Sequence, residues 1–149
     1  MKYSIVLLFL VTWTLPVMGQ VGSQAGQIII GSATLIRKAA AGRYDRWEIS
    51  FHDISRQNQV LWLLAKSEKN LPLNASSYRI RKKTFDKMGL KDMLGVTIFD
   101  DKQLPVNKGE IMLKIRDSRL VLEATLKIKG IGIKNYTYSG NYKTIEARL

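Results

Sequence analysis

The chain has 149 residues, no cysteine, one histidine, and 24 lysines and arginines against 12 acids, for a formal charge of +12 at pH 7. Without cysteine no disulfide holds the fold, and a single histidine leaves no His/Cys set for zinc or a transition metal. What remains is one domain of ordinary size that must stand on its own apolar core.

The first segment reads as an address. Met1-Lys2 is a minimal positive start, Ile5 to Leu10 and on through Val11, Trp13 and Leu15 is apolar, and Pro16 ends any helix. Val17-Met18-Gly19 then offers a cleavage site, so residues 1–19 are expected to be a secretory signal peptide and Gln20 the mature start. The apolar run falls short of the roughly 20 residues a spanning helix needs, and no cysteine follows to carry a lipid. Residues 20–27 read as a flexible Gly/Ser/Gln stretch, and residues 28–149 as a single β domain, secreted or periplasmic. Asn74-Ala75-Ser76 and Asn135-Tyr136-Thr137 match the glycosylation triplet.

Strand signals follow in order. Gln27 to Arg37 carries Ile28, Ile29, Ile30, Ala33, Leu35 and Ile36. Tyr44 to His52 alternates, with Trp47, Ile49 and Phe51 on one face and Glu48, Ser50 and His52 on the other. After a turn at Arg56 to Gln59, Val60 to Ala65 is apolar on both parities and is expected as a strand buried on both faces, Trp62 included. Tyr78 to Arg81 alternates again, Lys82 to Leu94 is the most helix-like or irregular stretch, and Gly95 to Phe99 is a short strand before a turn at Asp100 to Gln103. Ile111, Leu113 and Ile115 face inward. Asp117-Ser118 is a tight turn, and Leu120, Leu122, Ala124, Leu126 and Ile128 return on one face. Tyr136, Tyr138 and Tyr142 share one parity of a last strand.

These elements predict an all-β protein: an antiparallel β-barrel or barrel-like sandwich of about eight strands behind the signal peptide. A loose echo between Gly31–Phe51 and Gly109–Leu126 suggests two three-strand meanders with a connecting region between them. The interior is expected to be largely packed.

The run from Leu71-Pro72 through Tyr78-Arg79-Ile80 resembles the LP-x-G-x-Y segment of short secreted calycin-like or lipocalin-like β proteins of Gram-negative bacteria. The family's usual glycine is Asn74 or Ser76 here. Gly109 to Lys129 matches the family's following hairpin, and Tyr136-Thr137-Tyr138-Ser139-Gly140 its last strand. The resemblance implies the fold and an extracytoplasmic address more than an activity.

No catalytic constellation stands out. His52 is a lone histidine on a polar strand face, without a nucleophile elbow. Glu48, Glu110 and Glu123 lie on polar faces among cations, and Asp100-Asp101 lacks the spaced oxygens of a calcium loop. The expectation is therefore no enzyme, no cofactor and no metal. The basic residues are more informative. Arg79, Arg81, Lys82 and Lys83 cluster and are the expected anion-binding residues, and Lys108, Lys114, Arg116, Arg119, Lys127, Lys129 and Lys134 form a second outward series. Tyr136, Tyr138 and Tyr142 are considered as an aromatic surface or mouth. The leading expectation is a secreted, non-enzymatic binding protein for a hydrophobic or amphipathic small molecule or an anionic envelope component. Peripheral membrane contact fits this reading, and nucleic acid does not. The alternative is a structural or protein-interaction module of the cell envelope.

Overall fold

The computed structural model describes residues 27–39, 41–55, 57–73 and 76–148. The expected signal peptide and mature start lie outside them. The described residues form nine strands: β1 (Gln27–Ile29), β2 (Ser32–Ala39), β3 (Tyr44–His52), β4 (Gln59–Glu68), β5 (Ser76–Ile80), β6 (Asp92–Phe99), β7 (Lys102–Arg116), β8 (Arg119–Ile128) and β9 (Gly132–Arg148). One 3-10 turn, Phe85–Lys87, interrupts the stretch between β5 and β6. The expected irregular region therefore ends earlier than Leu94, because β6 already begins at Asp92.

Strand pairing runs β2-β3-β4-β6-β7-β8-β9 and returns to β2, so the sheet closes into a ring. Every successive pair is antiparallel except the closing one, where β9 runs parallel to β2. Parity dictates this. Strands that alternate in direction around an odd number of walls must meet in the same direction where the last joins the first. The wholly antiparallel arrangement expected from the sequence is corrected accordingly. β1 prolongs the closure: it pairs in parallel with Asn135–Thr137 while β2 pairs with Tyr142–Arg148. The expected strand over Gln27–Arg37 is thus split at Ile30-Gly31. The two meanders, β2-β3-β4 and β7-β8-β9, are both present, and β5 and β6 connect them.

Alternation sets the faces. Trp47, Ile49 and Phe51 on β3, Leu61, Leu63 and Ala65 on β4, Ile111 and Leu113 on β7, and Leu120 through Ile128 at every second position on β8 are buried in one core. Each fully buried large apolar side chain is worth about 1.5–3 kcal/mol. Trp62 departs from the expectation. It lies on the outward parity, half-buried, opposite Ser50 and Val96. Leu64, its parity mate two residues on, is buried. The tight turns are Asp100-Asp101 and Asp117-Ser118, and all four residues have positive φ, the pattern of two-residue hairpins whose twist matches the strands. Lys102 and Gln103, expected in the first turn, already belong to β7.

A polar cluster closes the end of the ring where β2 meets β3. Arg37 donates to the buried Asp45 through Nε at 3.0 Å and Nη2 at 2.6 Å, and the Asn70 N–H adds a bond at 2.9 Å. Burial pushes the Asp45 carboxyl up, but Arg37, Asn70 and Lys69 outweigh it and hold it below the usual carboxylate range. Trp47 Nε1 donates to Ser67 Oγ at 2.8 Å. Lys66 is buried as well. Its ammonium lies 4.7 Å from the Tyr44 ring and 4.8 Å from the Phe85 ring, and it donates to the Met88 carbonyl at 2.9 Å. Lys66 thereby fastens the 81–91 connection to the sheet.

Candidate functional site

The site begins at a fork in the ring. Beside β7, β6 pairs with Lys102–Pro105 and β5 pairs with Glu110–Leu113. The tip of β5 wedges in alongside β6 through the parallel pairs Arg79↔Asp92 and Ile80↔Met93. Gly95 marks the point of entry: a Cβ there would lie 3.1 Å from Ile80 Cδ1 and 3.2 Å from Val106 Cγ2. Between the two pairings, residues 106–109 of β7 are bonded to β8 alone.

A β-bulge falls in that gap. The β7–β8 register shifts between Val106 and Lys108, which leaves Asn107 as the extra residue. Its Oδ1 is buried and has no hydrogen-bond partner. Gly109 lets β7 approach β8 closely, since a Cβ would sit 2.6 Å from the Thr125 carbonyl oxygen.

Outside the fork lies a groove of about 740 Å³, walled by Arg79, Arg81, Lys82, Lys108 and Lys127, with Glu110 as its acid. Ile133 gives it exposed apolar surface, and Ile80 and Gly109 border it, Ile80 itself being buried in the core. Lys108, Lys127 and Ile133 form one cross-strand row, and Arg79, Glu110, Thr125 and Asn135 the next. Among the described residues, Arg79, Lys82, Lys108 and Lys127 are in no ion pair. An adjoining hollow of about 820 Å³ shares Arg79, Glu110 and Thr125 and adds Lys91 and Glu123, so of the two the fork groove holds the larger excess of cations.

The expected basic cluster divides. Arg79, Arg81 and Lys82 line the groove, whereas Lys83 turns to Asp92 at 3.5 Å. Arg81 also approaches Asp92, at 3.8 Å. Burial pushes Asp92 up, but the Gly89 N–H, Lys83 and Arg81 hold its carboxyl low. Lys83 is thus a structural partner, and Lys108 and Lys127 join the site from two other strands. The aromatic surface or mouth expected of Tyr136, Tyr138 and Tyr142 is corrected for Tyr136 and Tyr138, which are buried. Tyr136 is buried against Thr97, and burial raises its hydroxyl above the usual range despite the bond to Thr97. Tyr138 is buried edge-to-face on Phe51 with centroids 6.1 Å apart, and its hydroxyl donates to the Asn141 carbonyl. Tyr142 is half-buried against the same core. Interior parity, not ligand stacking, accounts for their spacing.

His52 is half-buried on the outer face of β3, and its carbonyl accepts from the Gly31 N–H at 2.8 Å. Among the described residues no three of His, Asp and Glu cluster to hold a metal ion, and no helix is long and apolar enough to cross a membrane. No family model, curated protein or solved structure matches the chain, so the calycin-like resemblance rests on its sequence pattern alone. What the fork can do chemically is receive an anion. Four cations that make no ion pair among the described residues line a groove whose volume falls within the roughly 300–1,000 Å³ of ligand sites.

Proposed function

We propose that this chain is an exported, non-enzymatic β-barrel protein that binds an anionic, amphipathic component of the cell envelope in the groove at the β5–β6–β7 fork. The observation that carries this reading is Lys108 standing directly opposite Lys127, with Arg79, across from Glu110, and Lys82 lining the same groove, and none of the four cations in an ion pair among the described residues. Like charges opposed across strands destabilise a sheet, and an anion in the groove relieves them. The exposed Ile133 side chain suits the hydrocarbon part of an amphiphile.

The groove is favoured over the interior because the interior is full. Phe51, Leu63, Leu122 and Tyr136 expose no surface, whereas a void large enough for a ligand would expose its lining. Ring closure also weighs against the alternative of an envelope module docked through a sheet edge, since every strand of the ring has a neighbour on each side along part of its length.

Retention on a heparin column tests the reading. Exposed charges are screened beyond about 8 Å at physiological salt, so retention falls as salt rises. Changing Arg79, Lys82, Lys108 and Lys127 to Gln is expected to lower the eluting salt more than changing the exposed Lys87, Lys102, Lys114 and Lys143. Equal losses from the two sets overturn the site assignment.

A further inference from the structure

The groove opens beside a feature that anion binding alone does not use. β8 and β9 join through Lys129-Gly130-Ile131, closed by a hydrogen bond from the Ile131 N–H to the Ile128 carbonyl at 3.3 Å. Ile131 is 38% exposed at this tip and Ile133, two residues on, is 65% exposed. Lys127 pairs directly with Ile133, Lys129 is exposed in the turn, and Lys108 continues the row on β7. Two exposed isoleucines thus stand among lysines that make no ion pair among the described residues.

We propose that the β8–β9 tip inserts into an anionic lipid bilayer surface, with Ile131 and Ile133 entering the acyl boundary while Lys108, Lys127, Lys129 and the fork cations meet lipid phosphates. This rests on the anion-binding reading of the fork and names the ligand's setting: a headgroup presented by a bilayer, not an anion free in solution. Charge complementarity selects that occupant. A zwitterionic surface offers nothing to a collar of one sign, and an apolar protein patch does not neutralise it. Apolar insertion and attraction to anionic lipid add together in interfacial binding. The outward parities of β7 and β8 carry Glu110, Lys114, Glu123 and Lys127, so the ring sits on the surface and does not span it. Asp100 and Asp101 lie on the β6–β7 turn at the same end of the ring, which confines docking to the β8–β9 corner.

The experiment is co-sedimentation of the mature protein with phosphatidylcholine vesicles with and without phosphatidylglycerol, alongside heparin-column retention. The parent is expected to bind only the anionic vesicles. Ile131→Ser with Ile133→Ser should lower that binding about tenfold or more, and Ile131→Ser alone, outside the groove, should lower it severalfold and leave column retention unchanged. Leu71→Ser, an equally bare leucine on the β4–β5 connection at the other end, should change neither, and thermal melting confirms that each variant folds. If the parent ignores anionic vesicles, or the double isoleucine variant binds them as well as the parent does, the membrane inference is overturned while the fork's anion site stands on the column result. If retention fails to depend on Arg79, Lys82, Lys108 and Lys127, the fork reading itself is overturned.

Discussion

Lys108 on β7 and Lys127 on β8 are direct cross-strand partners on the outer face of the ring, and neither meets an acid among the described residues. Placing like charges there costs stability, and opposite charges recover about 0.2–1 kcal/mol. Lys127→Glu is therefore expected to raise the urea midpoint while weakening heparin retention. A variant that loses stability would show that the pair is not under repulsion. A variant that gains stability and keeps full retention would detach the pair from binding.

Gly109 sits where the bulged β7 touches β8. A methyl group would overlap the Thr125 carbonyl oxygen and Leu126 Cδ2, both at 2.6 Å, so Gly109→Ala must shift backbone. The expected cost is about 1–3 kcal/mol. Gly95→Ala meets only side-chain ends at 3.1–3.3 Å and should cost less. Chemical denaturation of the two variants checks the order, and the reverse order would contradict the bulge geometry.

A contrast between faces separates two aromatics. Phe51→Ala empties the core and should cost about 3–5 kcal/mol. Trp62→Ala, on the half-buried outer face, should cost clearly less, and equal costs would put Trp62 inside.

How far the sequence reached follows from what alternation encodes. A period of two reports which way each side chain points, and it placed β3, β7 and β8 with their inward faces. It does not report which strands are neighbours. The fork depends on β5 and β6 lying end to end along β7, a long-range pairing with no local signature. Trp62 and Leu64 share a parity in a run apolar on both faces, so alternation had nothing to choose between. The Lys108–Lys127 pair was within reach. Asp117-Ser118 reads as a two-residue turn, and counting back along both strands from Arg116↔Arg119 arrives at Lys108↔Lys127. Tyr136 and Tyr138 share a parity as core and platform residues both would, and only the closure of β9 against its neighbours turns them inward.

Acid stability follows from Asp45 and Asp92. Both carboxyls are held below the usual range in the folded chain. Such groups contribute stability that is present above the unfolded pKa of about 3.9 and lost as pH falls through the lowered folded value. The protein should therefore lose melting temperature as pH falls below about 4. Asp45→Asn should melt lower than the parent at neutral pH and lose less on acidification, because its share of the acid-sensitive stability is gone. An unchanged acid slope would mean that Asp45 is not held low by Arg37.

The site itself is tested most directly by backbone NMR during titration with a short heparin oligosaccharide. Shift changes should concentrate at residues 79–82, 107–110 and 125–127 and at Ile133, with the core around Phe51, Leu63 and Leu122 unmoved. Changes centred on those interior residues would place the ligand inside the ring, and changes spread evenly over exposed lysines would mean that net charge acts without a site; either result would contradict the account.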